Sequence, residues 1–182
     1  NMQIYSKVIK CRDYSETFRS IVQSSSLGNL PFNTILVNFD EQMNIKDVVN
    51  EGKEYNKNIL LLRNQAGIVN FRNIDVWWSS SSNGNMMILL AYLTSHSRIW
   101  RDADASINVY SVVDSRKEYN RIKEALSRMM ENGRIDNMSY EIIINKEGRK
   151  LPSIIVEKSQ NSDLVILGVP KTGRSGKATK SI

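Results

Sequence analysis

The segment from Asn73 to Trp100 constrains the fold more than any other part of this chain. It opens with the run IDVWW at residues 74–78, in which β-branched and aromatic residues dominate. Four serines, Asn83 and Gly84 then form a polar turn. The residues from Met86 to Leu93 are apolar almost all round. A strand, a short turn and an apolar helix open a βα unit, so this segment predicts a parallel sheet.

This βα unit is also predicted to supply the core. A helix that is apolar on every side must be covered on every side, so we expect it to lie inside the domain. Adjacent strand residues point to opposite faces, so at most one of Trp77 and Trp78 can line a given site. Packing against helices is therefore a better interpretation of these two rings than stacking on a base or sugar. The predicted structural core consists of Val76, Trp77, Trp78, Met87, Leu90 and Leu93.

Strands and helices alternate along the rest of the chain. Two capping boxes, Asp13 with Glu16 and Ser115 with Glu118, each predict the start of a helix. The alternation predicts an α/β fold with a mainly parallel sheet and helices on both faces. Further strands are predicted at residues 3–10, 34–39, 59–62, 107–113, 140–144 and 163–169, with a short edge strand at 68–71.

The charge of the chain allows several interpretations. Its 182 residues carry a net charge of +6, from 25 Lys and Arg against 19 Asp and Glu. The basic residues are scattered and do not cluster with aromatic residues, so we expect no nucleic-acid partner. Attraction to an anionic membrane surface fits the charge at least as well. Lysines that simply keep the surface soluble account for it most economically.

The reactive side chains are few. Cys11 is the single cysteine, which allows no internal disulfide and fits a reducing compartment. His96 is the single histidine, so a structural zinc site is excluded and an acid–base pair is hard to build. Ser95, His96 and Asp102 do not make a catalytic triad, because neighbours on a helix do not face one another. We expect no catalytic residue and no metal site. The run from Met86 to Leu93 is far shorter than the roughly 18 residues of a membrane-spanning helix.

Two long stretches resemble a known family. The run IDVWW, the glycine-containing turn, MMILLAYL and SRIWRDADASINVYSV closely resemble the cytosolic C-terminal domain of the cation–chloride cotransporters. Residues 21–39, IVQSSSLGNLPFNTILVNF, resemble a second stretch of that domain. The chain departs from the family pattern at Ser24 to Ser26, at Phe32 between proline and asparagine, and at Ser79 to Ser82. These departures indicate a distant, prokaryotic member.

The resemblance implies a fold and a function. The fold is similar to universal stress proteins, a flavodoxin-like three-layer arrangement. Residues 1–182 are then one cytosolic α/β regulatory domain, with a first βα half at 1–73, a second at 74–170 and a flexible basic tail at 171–182. The resemblance further implies a homodimer through this domain and a membrane transport domain in the same polypeptide, which moves chloride with potassium, sodium or both. The implied location is the cytoplasmic face of the cell membrane, with no cofactor.

A glycine-rich loop leaves a nucleotide-binding alternative open. Residues 168–175, GVPKTGRS, nearly satisfy the phosphate-loop pattern, with arginine in place of its lysine. The loop also resembles the nucleotide loop of universal stress proteins. Pro170 removes one backbone N–H donor, however, and no apolar stripe follows to dock a helix. We expect no hydrolysis and no tight binding. The candidate nucleotide-binding residues are Gly168, Gly173, Arg174, Ser175 and Gly176.

Overall fold

A computed structural model describes residues 10, 12–24, 26–27, 30–39, 44–64, 70–79, 83–133 and 135–168. The chain forms two compact units, Asn1–Gly67 and Ile68–Ile182. The first contains α1 (Tyr14–Ser24), β1 (Ser26–Leu27), β2 (Leu30–Pro31), β3 (Thr34–Asn38), α2 (Ile45–Glu54) and β4 (Asn58–Leu62). The second contains β5 (Asn73–Trp77), α3 (Gly84–Ser95), α4 (Arg98–Asp102), β6 (Ser106–Val113), α5 (Arg116–Gly133), β7 (Met138–Ile144), α6 (Leu151–Ser159) and β8 (Leu164–Leu167).

In the first unit, β3 and β4 pair in parallel, and β1 and β2 form a short antiparallel ladder. The helix start predicted at Asp13 is confirmed, because the backbone N–H of Glu16 donates to Asp13 Oδ1 at 2.7 Å. The parallel pairing of β3 with β4 begins with Thr34 beside Asn58 and ends with Asn38 beside Leu62. The small core of this unit consists of Phe18, Val22, Val37 and Val48.

Polar pairs spaced four residues apart join α1 to α2. Ser15 donates to Asp47 at 3.4 Å, and one turn later Arg19 donates twice to Glu51 Oε1, at 2.9 and 2.6 Å. A further turn along, Gln23 donates to the hydroxyl of Tyr55. Residue numbers rise together on both helices, so the two helices run parallel. Each helix is therefore registered against the other by contacts on every turn.

The second unit is a parallel sheet of four strands in the order β7-β6-β5-β8. Helix α3 connects β5 to β6, α5 connects β6 to β7, and α6 returns from β7 to β8 on the far side of β5. The strand order thus reverses at β5, as in doubly wound sheets. The predicted α/β class and its parallel sheet are confirmed.

The two faces of this sheet differ in chemistry. We call the side that carries Ile74, Val76, Ile107 and Val109 the apolar face, and all four side chains have no exposed surface. Helices α3, α4 and α5 cover it. Their contribution to the core consists of Met87, Ile88, Ala91, Trp100, Ile122 and Leu126.

We call the opposite side, which carries Asp75, Trp77, Asn108 and Tyr110, the polar face. Helix α6 lies on it, because Trp77 Nε1 donates to Ser159 Oγ at 3.0 Å. Strand residues alternate between faces, and β6 shows the alternation in its burial, with every second side chain buried. Helices therefore lie on both sides of the sheet, as the sequence predicts.

One predicted core residue is wrong. Val76, Trp77, Trp78 and Met87 are buried and Leu90 is half-buried, but Leu93 is 57% exposed. Within the described part of the chain, α3 packs on the sheet through one side, so its opposite side lies open. Periodicity could not predict which side, because α3 is apolar all round.

The predicted strands fit β3, β4, β6, β7 and β8 within a few residues. Neither β4 nor β8 is completely covered, since Leu62 is 39% and Leu167 is 55% exposed. Residues 70–71 of the predicted edge strand are not in a strand, and residues 3–9 lie outside the described residues. The division of the chain into two βα halves between residues 73 and 74 stays a prediction. The predicted flexible tail at 171–182 also lies outside the described residues.

Candidate functional site

The carboxyl ends of β5 and β8 define the place where this fold is expected to bind a ligand. Open parallel sheets bind ligands outside the strand ends at the point where the strand order reverses. Here β5 and β8 are paired neighbours. The chain leaves β5 through Trp78 and enters α3 at Gly84, and it leaves β8 through Gly168. These residues form the candidate site.

Two large side chains occupy this edge. A Cβ atom on Gly84 would lie 2.3 Å from Trp78 Nε1, and one on Gly168 would lie 2.9 Å from Met87 Sδ. Trp78 is 8% exposed and Met87 is 3% exposed. The close approach of an indole and a thioether therefore accounts for both glycines. No phosphate group is needed to explain them.

The Trp78 indole has one unusual property. Its Nε1 atom is buried and has no hydrogen-bond partner among the residues that the structure describes. The N–H group is only a donor, and it faces the first turn of α3, where backbone N–H groups also point outward. An unpaired buried donor costs about 1–3 kcal/mol. A ligand acceptor could reach this donor only if Trp78 moved, because the nitrogen exposes almost no surface.

Of the residues predicted to bind nucleotide, only Gly168 is within the described residues, where it contacts Met87. Gly173, Arg174, Ser175 and Gly176 lie outside them. Our expectation that this loop neither hydrolyses nucleotide nor binds it tightly therefore stays a prediction.

Ser95, His96 and Asp102 do not form a triad. The hydroxyl of Ser95 donates to the carbonyl oxygen of Tyr92 at 2.9 Å. His96 Nδ1 lies 2.9 Å from the same oxygen, which can only accept, so this contact assigns the imidazole proton to Nδ1. That nitrogen cannot then take the proton of Ser95, although the two atoms are 3.2 Å apart. Asp102 instead pairs with two arginines of α4.

A polar row that sequence reasoning missed crosses the polar face. Asp75 is 1% exposed and accepts hydrogen bonds from Asn108 Nδ2 at 3.1 Å and from the hydroxyl of Ser162. Asn108 in turn accepts from Ser139 at 3.2 Å. Asp75, Asn108 and Ser139 are register partners on three adjacent strands. The one sequence signal was an aspartate inside the otherwise apolar run IDVWW. A buried carboxylate is tolerated when hydrogen bonds satisfy it, as they do here.

The next row of the polar face holds Trp77, Tyr110 and Glu141. The rings of Trp77 and Tyr110 stack with centroids 5.0 Å apart. Burial raises the pKa of Tyr110, and the negative charges of Asp75 and Glu141 raise it further. The hydrogen bond from Lys158 to Glu141, at 2.7 Å, raises the pKa of Lys158. Both groups keep their protons near neutral pH, so neither is suited to act as a general base.

Asp163 fastens the start of β8 to the start of β5. Its carboxylate accepts backbone N–H groups from Arg72 at 2.8 Å, Asn73 at 3.0 Å and Asn70 at 3.2 Å. Burial acts to raise the pKa of Asp163, but the backbone donors together outweigh it and hold the pKa below its usual value. All of its contacts go to the protein's own backbone, so its role is structural.

No three His, Cys, Asp or Glu side chains among the described residues are close enough to hold a metal ion. Helix α6 carries an open depression of about 410 Å³. Among the described residues, its lining consists of Pro152, Ser153, Val156 and Glu157. Its carboxylate, Glu157, is paired with Arg149. Of the helices that the structure describes, none is long and apolar enough to cross a membrane.

The second unit is therefore a doubly wound parallel α/β sheet in which Trp78 and Met87 pack at the carboxyl ends of β5 and β8. No family model matches the chain. Its fold is similar to the crystal structure of the cytoplasmic domain of a prokaryotic cation chloride cotransporter, with a TM-score of 0.53 and 15% sequence identity. That match covers 71% of this chain and 52% of the solved chain.

A sequence relative agrees with the structural match. The chain is 28% identical over 156 residues to potassium/chloride cotransporter 3 of Caenorhabditis elegans. The alignment covers 79% of this chain and 14% of the cotransporter, so the chain spans a small part of that relative. The resemblance to the cytosolic domain of cation–chloride cotransporters is confirmed. Both relatives are named as transport proteins, not as enzymes.

Proposed function

We propose that this chain is a cytosolic regulatory and dimerisation domain of a secondary active transporter that moves chloride with potassium, sodium or both. The observation that carries the proposal is the cotransporter match over 79% of the chain, which the fold match supports. The domain then lies at the cytoplasmic face of the cell membrane and works with the membrane transport domain of the same polypeptide. It carries out no catalysis and needs no cofactor.

The geometry of the second unit supports a mechanical role. At the candidate site the edge between β5 and β8 is occupied by Trp78 and Met87. The polar groups of Asp75 and Asp163 are directed at other parts of the same unit. A closely packed body is suited to transmit a displacement, because packed cores deform little.

Self-association tests the dimerisation part of the proposal. Two-fold pairing is the common symmetry of homo-oligomers, so we expect the chain to form dimers. Its affinity is expected to be weak, because an intact transporter would hold two copies at high local concentration. Light scattering or sedimentation equilibrium measures this. A chain that stays monomeric at hundreds of micromolar contradicts the proposal.

Ion uptake tests the transport part. Cells that express the polypeptide carrying this chain are expected to take up rubidium, a potassium tracer, or radioactive sodium, in a chloride-dependent way. The matched control is the same polypeptide with Val76→Asp, which puts an uncompensated carboxylate into the apolar face and unfolds this domain. An uptake rate that does not depend on chloride and does not change with Val76→Asp would contradict the proposal.

A second candidate function is a nucleotide-binding module of the universal-stress-protein kind. The position of Gly168, directly after β8 at the reversal of strand order, favours it. The filling of that edge by Trp78 and Met87 argues against it. We therefore expect no micromolar binding and no phosphate release when magnesium-ATP is titrated into the chain. Micromolar binding that Gly173→Ala abolishes would reverse the order of the two candidates.

A further inference from the structure

The first turn of α3 and the indole ring of Trp78 face one another at the carboxyl end of β5. A Cβ atom on Gly84 would lie 2.3 Å from Trp78 Nε1 and 2.8 Å from Trp78 Cδ1. The edge of the ring that carries the N–H group therefore lies against the residue that begins the helix. Trp78 is 8% exposed, and its Nε1 atom has no hydrogen-bond partner within the described part of the chain.

Helix α3 brings further donors to the same place. The first N–H groups of a helix have no partner inside it, and here they belong to Gly84, Asn85 and Met86. The next one along, the N–H group of Met87, donates to the carbonyl oxygen of Asn83 at 3.0 Å. The helix dipole adds a partial positive charge at this end. The indole and the helix end are both donors, so neither can satisfy the other.

The segment around this helix end contains no acidic residue. The sequence has no Asp or Glu from Val76 to Arg101. Helices α1, α2 and α5 each have an acidic residue in the first turn, and α3 has none. Helices α4 and α6 also lack one, but the buried side-chain donor that has no partner among the described residues belongs to Trp78. The end of α3 combines both features.

We propose that this end of α3 binds a small inorganic anion. Its donors are one side-chain and three backbone N–H groups, which we call the anion site: those of Trp78, Gly84, Asn85 and Met86. A helix N-terminus favours negative charge, and an anion can accept hydrogen bonds from several donors at once. An unpaired buried donor is costly, so pairing the indole N–H contributes to binding. The net charge of +6 attracts anions to the chain as a whole.

The space at the anion site limits the ligand to a small one. Trp78 Nε1 exposes almost no surface, so the indole must shift before an anion reaches it. The carbonyl oxygen of Ser79 lies 3.0 Å from the Cβ position of Gly84, and it repels an anion on that side. Chloride and inorganic phosphate both fit this chemistry. Because Trp78 belongs to the core that α3 covers, binding also changes how α3 packs on β5.

The inference goes beyond the proposed function, which requires no ligand at this edge. Binding of an anion follows from the donors alone. Its regulatory meaning rests on the proposed function: if the anion is chloride, the domain responds to the concentration of an ion that the proposed transporter moves.

Proton resonances of the indole and amide groups test the anion site directly. Sodium chloride or, in a second arm, sodium phosphate replaces sodium gluconate at constant pH and ionic strength, with the full chain labelled with nitrogen-15. The Trp78 indole resonance, assigned by its loss in Trp78→Phe, and the first-turn amides of α3 are expected to shift saturably. The Trp77 indole, which donates to Ser159, is expected to stay in place.

The two arms identify the anion. Saturation with chloride or with phosphate supports the inference and shows which of them binds. The absence of a shift with both anions overturns it. An equal, unsaturable drift of all three indole resonances overturns it as well, because that drift reports a general effect of salt.

Asn85→Asp gives a variant that carries its own anion. A carboxylate in the first turn of α3 neutralises the helix end, so the anion-dependent shifts are expected to disappear without a loss in melting temperature. Ser153→Asp is the matched control, because it adds the same charge to the first turn of α6, which also lacks an acidic residue. This control is expected to keep anion binding.

Trp78→Phe removes the indole donor and keeps an aromatic ring. It is expected to weaken the anion affinity measured at the first-turn amides about tenfold, since a hydrogen bond to a charged group is lost. If Trp78→Phe does not fold, Asn85→Asp decides alone. Unchanged affinity in Asn85→Asp overturns the inference. No transport is measured, so failure here leaves the proposed function standing, and chloride-independent uptake would contradict that function without touching the anion site.

Discussion

The apolar and polar faces of the four-stranded sheet are built from the same strands but serve different ends. On the apolar face, side chains such as Ile74 and Ile107 have no exposed surface and lie under α3, α4 and α5. On the polar face, Asp75 and Asn108 occupy the matching register positions. Parallel strands covered on both sides usually read as continuous apolar runs. The polar face breaks that rule in the middle of β5.

The two faces contribute differently: the apolar face mainly stabilises the fold, and the polar face mainly specifies the strand arrangement. Burial on the apolar face is non-directional, and side chains of similar volume can replace one another at modest cost. The contacts of Asp75 are directional, and they link β5 to β6 and to the turn before β8. A shift of β8 by one residue would leave the apolar face largely filled but would break these contacts. The polar face thus helps to select the correct strand arrangement.

The largest expected effects come from the two adjacent tryptophans, one on each face. Trp78→Ala removes a ring from the core of the apolar face, and Trp77→Ala removes the ring that stacks on Tyr110. Each is expected to lower the free energy of unfolding by about 3–5 kcal/mol, because each leaves a large cavity. Urea unfolding measures both. If neither changes the melting temperature, the βα unit around β5 is wrong. If only Trp77→Ala is neutral, α6 does not cover the polar face.

A smaller effect is expected from Asp75. Asp75→Ala leaves the amide of Asn108 and the hydroxyl of Ser162 without their acceptor, so we expect a loss of about 1–3 kcal/mol. Asp75→Asn is the control, because it keeps the shape and one carbonyl acceptor, and it is expected to cost less. Equal stability of the wild type and Asp75→Ala, measured by urea unfolding, would show that the polar row does not hold β8 in place.

The smallest effect is a pH dependence that originates in Asp163. Its pKa is lower in the folded chain than in the unfolded chain, where it is about 3.9. Its contribution to stability is therefore present above about pH 4 and is lost as the pH falls through the folded pKa. Asp163→Asn cannot titrate, so the difference in unfolding free energy between it and the wild type is expected to shrink below about pH 4. A difference that stays constant from pH 7 to pH 3 would contradict this assignment.

Local signals in the sequence predicted much of this unit correctly. The Ser115 capping box starts α5, where the backbone N–H of Glu118 donates to the Ser115 hydroxyl at 3.3 Å. Strand alternation correctly separated the two tryptophans, since Trp78 joins the apolar core and Trp77 contacts α6. Both features depend on residues close in sequence, and backbone geometry fixes their spacing. The cotransporter resemblance likewise depends on contiguous stretches.

The sequence by itself determined where most of the parallel strands lie, where two helices begin, and that the main sheet is parallel. Only the tertiary structure decided which side of α3 is open, so Leu93 was placed wrongly in the core. It also decided the partners of Asp75, which lie 33 and 87 residues away at Asn108 and Ser162. Periodicity reports a local preference for burial, whereas these contacts depend on the order β7-β6-β5-β8, which brings distant residues together.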